Sequence, residues 1–390
     1  MNNISSISDD MSEFTSDTEF INKIFENIDN NDIPAYDKKE FKKDCPDSSY
    51  IATVIPIKKN PQKEDEKTRI VVIGDLHGDL ELTKKILDIA KIAKFKGNKP
   101  TWIGKKGTYV VQLGDQIDRC RPYKYKCDHP LATKNDEASD EIIIDIFTDL
   151  NKQAIKKGGM VISLNGNHEL MNALGKINFV SYENLRKYDG SPEEQKQHRK
   201  DLYKPGGKYG KILACTRLSV VIIGDFLFVH GGIIPKFTKN LKIKNRKDLY
   251  KINYIVRKWL LGQIDSKNIS NIINQTKDTM FWNRIMGHLP SDSNKNPEKI
   301  KKKIKKCIKY LDPVLRLFKV GNMIIGHTPQ WLYNGGINST CGKRVWRVDT
   351  GSSKAFNEFD DEYHETGIIT DLRNAQALEI LNNEEINILM

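Results

Sequence analysis

Long apolar runs are missing from this chain of 390 residues. No uninterrupted stretch approaches the roughly 20 residues that a bilayer-spanning helix needs. The opening MNNISSISDDMSEF lacks the basic and apolar regions of a secretory signal. Cysteine is sparse too: the six residues at 45, 120, 127, 215, 307 and 341 are scattered without metal-finger spacing. These absences predict a soluble, intracellular protein of a reducing compartment, expected in the cytoplasm and not at a membrane. The formal net charge of +12 raises the question of a nucleic-acid partner. Lys, Asn and Ile are heavily used throughout, however, a bias that AT-rich coding produces by itself. The densest basic run, KKKIKKCIK at 301–309, has no interleaved aromatics for base stacking. It reads as the solvated face of an amphipathic helix, and nucleic acid is not an expected partner.

What is present is a pattern of strand ends. Residues 1–48 are polar and weakly periodic apart from EFINKIFENI, and are expected to form a loosely ordered extension. A single catalytic domain is expected over 49–388. YIATVIPI at 50–57 has strand character, and from residue 70 onward β-branched runs stop abruptly at a glycine or a polar, chemistry-bearing residue. They are RIVVI-GDLHG, TYVVQL-GDQIDR, MVISL-NGNHE, FLFV-HGG, NMII-GHTP and RVWRV-DTG. Continuous apolar runs of this length read as strands buried on both faces, with helices such as 79–94 and 141–157 covering the sheet. That is an α/β fold, in which ligands collect where strands end. The longer, more polar segments 176–215 and 236–280 are expected to be insertions or caps over the site.

The strand ends carry metal-ligand chemistry. Asp75 and His77 stand two apart in GDLHGD, offering a hard oxygen and a borderline nitrogen. Further strand ends supply Asp115, Asn167 with His168, His230 and His327. Any one of these could be a polar loop residue, but four of the 8 histidines stand at glycine-flanked strand ends. Asp75, His77, Asp115, Asn167, His230 and His327 are too many ligands for one tetrahedral zinc. They suit two divalent ions bridged by a carboxylate, with a water between them activated toward phosphorus. The neutral Asn167 completes such a site without adding charge that would repel a phosphate.

With its GDLHG, GDQIDRC, GNHE, HGG and later His327, over roughly 69–351, the sequence resembles the metallophosphoesterase superfamily and, within it, the phosphoprotein phosphatases. GNHELMNALG, GHTPQ and WRVDTG make the Shewanella-like branch the nearest likeness. The resemblance implies two mixed β-sheets packed face to face and flanked by helices. It implies that Asp75, His77 and Asp115 hold one ion and Asp115, Asn167, His230 and His327 the other, with manganese expected and iron or zinc as alternatives. His168 resembles the general acid, Asp118 its partner, and Arg119 a phosphate clamp. Arg284 in MFWNRIMG resembles a second phosphate-binding arginine, and Asn167 also belongs to the phosphate-binding set. An imidazole beside a carboxylate and a planar guanidinium suit those tasks.

The expected reaction is direct attack of a metal-bridging hydroxide on a phosphate monoester, first of all on a phosphoprotein or else on a small phosphate ester. A dinucleoside-polyphosphate hydrolase and an inactive phosphoprotein-binding scaffold are the rival readings. One departure stands out: Cys120 replaces the glycine that usually follows Asp-Arg. It reads as a small side chain tolerated in the loop, with a redox-sensitive Cys120–Cys127 pair as the alternative. Glu169 reads as a supporting group and not as a ligand.

Overall fold

The computed structural model describes residues 18–59, 61–331, 335–357, 359 and 373–390. The strands in chain order are β1 (Val54–Ile55), β2 (Arg69–Ile73), β3 (Ala93–Lys96), β4 (Lys99–Trp102), β5 (Thr108–Gln112), β6 (Met160–Leu164) and β7 (Arg217–Leu218). Then come β8 (Val220–Ile223), β9 (Phe226–Val229), β10 (Asn322–Ile325), β11 (Asn338–Thr340), β12 (Val345–Arg347), β13 (Ala377–Leu381) and β14 (Glu385–Leu389). Twelve of them form two six-stranded sheets, ordered β1-β8-β9-β10-β12-β11 and β14-β13-β2-β5-β6-β7. Both sheets are mixed: β2, β5 and β6 run parallel, as do β9, β10 and β12, while β8–β9 and β2–β13 are antiparallel.

Side-chain alternation along the strands builds the layers. In β2, Ile70 and Val72 join Val111, Ile162, Val221, Phe228, Ile324 and Leu378 in the core between the two sheets. Val71 and Ile73 point the other way, against the helices Leu80–Ile89 and Asp140–Lys156. In β8, Val221 and Ile223 face the same inter-sheet core, whereas Val220 and Ile222 face the helical layer that includes Leu249–Leu260. The result is helices, sheet, sheet, helices, as the resemblance implied. These central strands are apolar on both faces because both faces are covered.

Parallel register sets the position of the site. Ile73 of β2 lies opposite Gln112 of β5, and Gln112 lies opposite Ser163 of β6. The turns that follow these strands therefore emerge side by side.

Two expectations are corrected. Residues 18–48 are not a loose extension: residues 18–25 are helical, and a second helix, Ile33–Asp44, packs on Leu249–Leu260. Asp37 pairs with Arg257 at 2.8 Å, Lys258 reaches Asp44 at 2.9 Å, and Ile21, Phe25 and Ile33 are buried in the helical-side core. Residues 1–17 of that expected extension lie outside the described residues.

Within the segment 236–280, expected as an insertion or cap, 11 residues of the helix Leu249–Leu260 are buried. Its polar appearance comes from Asn253, Arg257 and Lys258, which are buried with partners.

The cysteines are all paired, as Cys45–Cys215, Cys120–Cys127 and Cys307–Cys341. Separations of 170 and 34 residues hid two of these pairs from the sequence. The expectation of a reducing compartment rested on unpaired cysteines and loses that support.

Candidate metal centre

The turns after β2, β5 and β6 are joined through their backbones. Leu76 and His77 donate to the Asp115 carbonyl at 3.0 and 2.9 Å, and Gly78 donates to Gln116 at 2.9 Å. Glu169 locks the third turn to the second: its carboxylate accepts from the amides of Asp115, Gln116 and Gly166 at 2.7–2.9 Å. Both oxygens are thereby used, which makes Glu169 a brace between turns. Glycine is required where the turns touch, because a Cβ on Gly166 would overlap the Asp115 carboxylate. Four site residues, His77, Asp115, Asp118 and His327, have φ of 47, 54, 73 and 65°. Non-glycine residues rarely adopt this left-handed region, and the surrounding hydrogen bonds hold them there.

Asp115 is the hub. Its Oδ1 accepts from the His168 amide at 2.9 Å, leaving Oδ2 to face three imidazoles. His230 Nε2 lies 3.3 Å from Oδ2, and the Nε2 atoms of His77 and His168 each lie 3.9 Å from it. Two sets of donors, His77/Asp115/His168 and Asp115/His230/His327, are each close enough to surround one ion, and all their members are buried. Asn167 Oδ1 is 2.9 Å from His230 Nε2, and Asp75 Oδ2 is 3.9 Å from His77 Nε2. The six expected ligands thus converge, and they come from both sheets. His230 and His327 reach in from the ends of β9 and β10, while Asp75, His77, Asp115 and Asn167 follow β2, β5 and β6.

The donor set fits cations. His230 Nδ1 is 2.8 Å from the Leu113 carbonyl and His77 Nδ1 is 3.3 Å from that of Ile117, which directs each Nε2 toward the cluster. His327 Nε2 is buried and has no hydrogen-bond partner among the described residues. Burial, followed by the charges of Arg121 and Arg284 respectively, holds His77 and His327 well below the usual histidine range. Burial thus favours the neutral form that metal ligation needs. Burial, with the charges of Asp349 and Asp115, pushes Asp75 well above the usual carboxylate range. For Asp115 burial acts upward too, but the His230, His168 and His77 rings outweigh it and hold the carboxyl low. An isolated carboxylate cluster this deep is unfavourable, and divalent charge relieves it.

His168 stands beside the hub with Nδ1 2.7 Å from Asp118 Oδ2, which leaves Nε2 facing the cluster. Asn172 donates to both oxygens of Asp118 at 2.9 and 3.0 Å. The fully buried Arg199 fixes Asn172 in turn, donating from Nε to its Oδ1 at 2.9 Å while pairing with Asp140 and Glu141. Arg199 comes from the segment 176–215, so part of the expected cap is a brace beneath the site.

The two expected phosphate arginines fare differently. Arg284 is partly exposed and donates to the His327 carbonyl, beside the second donor set. Arg119 is 0% exposed and pairs with Asp79 at 2.9 Å, while Asp79 also caps the helix Leu80–Ile89. Arg121, which the sequence reading passed over, lies between the Phe179 and Phe356 rings. Asp349, buried after β12, was also missed as a site residue, although it ends a strand as the others do. Burial and the nearby Asp115 push its carboxyl up to about 6, against the Gly351 amide and the charges of Arg284 and His230.

Residues 68–331 match the model of the calcineurin-like phosphoesterases. The chain belongs to that family. It is 26% identical over 328 residues to Shewanella-like protein phosphatase 2 of Arabidopsis thaliana, covering 74% of this chain and 73% of the relative. It is 28% identical over 319 residues to Shewanella-like protein phosphatase 1 of Plasmodium berghei, covering 81% and 74%. An uncharacterized protein of Acanthamoeba polyphaga mimivirus, R398, is 40% identical over 237 residues, covering 56% of this chain and 91% of its own. Among solved structures, a cold-active protein-tyrosine phosphatase of a psychrophilic Shewanella shares the fold, with TM-score 0.54 and 19% identity over 90% of this chain and 84% of that one. This calcineurin-like phosphoesterase is a metal-dependent phosphatase, similar to the Shewanella-like protein phosphatases.

Proposed function

We propose that this phosphatase hydrolyses phosphate monoesters on phosphoproteins, using two divalent ions. Asp75, His77 and Asp115 would hold one ion, and Asp115, Asn167, His230 and His327 the other. The observation that carries the reading is the Asp115 carboxylate, whose one free oxygen faces imidazoles of both donor sets. When bound, the ions supply Lewis acidity and an activated water.

The chain's own residues do the rest. Asp118 orients the His168 ring so that Nε2 can deliver a proton to the departing oxygen. Arg284 adds positive charge beside the second donor set, where phosphate oxygens would lie. Asn167 contributes a neutral oxygen, which keeps the site from repelling a dianion. The protein substrate class is supported by the two relatives that are named protein phosphatases. Among the described residues no helix is long and apolar enough to cross a membrane.

The test is a substrate panel with metal analysis. Stripping by chelator should abolish hydrolysis of nitrophenyl phosphate and of phosphopeptides, and Mn²⁺ should restore both. Full activity in rigorously metal-free protein would remove the dinuclear reading. Turnover of a dinucleoside polyphosphate without turnover of any phosphopeptide would replace the substrate class.

A further inference from the structure

We propose that a lysine-lined cavity beside the metal cluster is the subsite that receives a glutamate of the phosphoprotein substrate, close in sequence to the phosphorylated residue. This assignment rests on the phosphatase reading above and adds what surrounds the phosphate. The cavity has a volume of about 510 Å³, within the roughly 300–1,000 Å³ of specific ligand pockets. None of the six expected metal ligands lines it. Ile177, Val180 and Leu185 give it an apolar wall, and its charged groups are Lys126, Lys196, Lys200 and Asp128.

Two elements bring the lysines together. Lys196 and Lys200 stand four residues apart on the helix Pro192–Tyr203 and so share one of its faces. Lys126 comes from the loop closed by the Cys120–Cys127 disulfide. Lys196 donates to Asp128 at 2.6 Å, which ties helix to loop and occupies the one carboxylate of the lining. That hydrogen bond, and then the charges of Lys196 and Lys126, hold the Asp128 carboxyl below the usual carboxylate range. Lys126 and Lys200 have no ion pair among the described residues. The cavity thus keeps two uncompensated ammonium groups beside an apolar wall. A glutamate matches both, with a carboxylate for the lysines and two methylenes for the wall.

The cavity shares a wall with the metal centre. Asn178 and Val180 line it, and Phe179 between them holds its ring 5.1 Å from that of His168. On the loop side Pro122 lines it, next to Arg121, whose guanidinium carbon is 5.6 Å from the centroid of Phe179. The Cys120 amide donates to the Phe179 carbonyl at 3.1 Å and holds the two sides together. One layer of chain therefore separates the cavity from His168. An extended peptide advances about 3.3–3.6 Å per residue, so a substrate with its phosphate at the cluster reaches the cavity with a residue about two to four positions away.

The experiment uses the metal-loaded, disulfide-intact protein and phosphoserine peptides carrying Glu, Ala or Lys at the second to fourth positions on one side of the phosphoserine or the other. It reads kcat/KM as ratios between peptides within one enzyme form, so that general losses cancel. Wild type should favour Glu over Ala about tenfold on one side only, mainly through KM, and the preference should shrink as salt is raised. The Lys126→Gln/Lys200→Gln double variant should bring the ratio near one, and Lys126→Glu/Lys200→Glu should invert it in favour of the Lys peptide. Lys301→Glu/Lys302→Glu, at exposed positions of the helix Pro297–Lys306 outside the cavity lining, should keep the wild-type ratio, which separates the cavity from net charge. A wild type indifferent to Glu overturns the proposal. So does a Glu preference that survives both cavity double variants, or a preference confined to peptides with a second phosphate in place of Glu. If the metal-loaded wild type hydrolyses no phosphate ester, the phosphatase reading fails instead, and fluorescence anisotropy of a labelled Glu-rich peptide on wild type and on the same double variants still decides whether the cavity binds it.

Discussion

Replacing Asp118 by Asn isolates one charge-assisted hydrogen bond without disturbing the backbone. Asp118 sits at φ 73°, and Asn tolerates that left-handed conformation better than most residues. The side chains are also the same size, so the fully buried pocket should not collapse. Hydrogen-bond polarity is what changes. Asn172 cannot flip to compensate, because its Oδ1 accepts from Arg199 Nε at 2.9 Å and its Nδ2 must therefore face position 118.

In the Asp118→Asn variant a carbonyl at the Oδ2 position still accepts from the His168 ring and from Asn172, but it is uncharged and the new amide confronts Asn172 Nδ2; in the other orientation the amide confronts the His168 ring. One contact is lost in either orientation. A hydrogen bond to a charged group contributes about 1.5–3 kcal/mol, which converts to roughly a 10–150-fold loss in rate. That loss belongs to proton delivery, so it should depend on the leaving group. Steady-state kinetics on phosphoserine peptide should show the full drop, while nitrophenyl phosphate, whose leaving group needs little protonation, should lose less than about fivefold. Metal content should match wild type. Equal losses on the two esters, or undiminished turnover of phosphoserine, would refute the assignment of His168 and Asp118 as acid and partner.

Asp115→Asn should lose metal and activity together in elemental analysis and kinetics, since three imidazoles share its one free oxygen. The Cys45→Ser/Cys215→Ser double variant releases a closure of 170 residues and should be less stable by up to about 5 kcal/mol in the chain-entropy limit, as read by denaturant unfolding. Asp349 gives a pH signature in metal-free protein: its carboxyl is raised from 3.8 when unfolded to about 6 when folded. The folded state therefore holds the proton more tightly, so this contribution is complete below the unfolded value and is lost as pH rises through about 6. The loss is on the order of 3 kcal/mol. Asp349→Asn should flatten the unfolding free energy over that window, and an unchanged slope would mean that Asp349 is not the group responsible.

The sequence by itself singled out the candidate ligands and the strands that carry them. Asp75, His77, Asp115, Asn167, His230 and His327 were legible because apolar β-branched runs stop where chemistry begins. A strand buried on both faces cannot carry such residues internally, so they fall at its end. The helices between the strands, and hence the α/β class, followed from the same alternation of apolar runs with amphipathic stretches. The two-sheet arrangement came from resemblance and not from periodicity.

Other features depend on contacts far apart in the chain, which local pattern does not encode. The three disulfides, the packing of residues 18–48 on the helix Leu249–Leu260, and the bracing of Asp118 by Asn172 and Arg199 are of this kind. The loop Asp118–Arg121 shows the limit most sharply. The resemblance pointed to Arg119, but side-chain direction after a left-handed turn depends on what each neighbour can pair with. Asp79 lies beside Arg119, and the Phe179 and Phe356 rings flank Arg121. The sequence places two arginines in this loop; only the packing of three distant segments decided what each one meets.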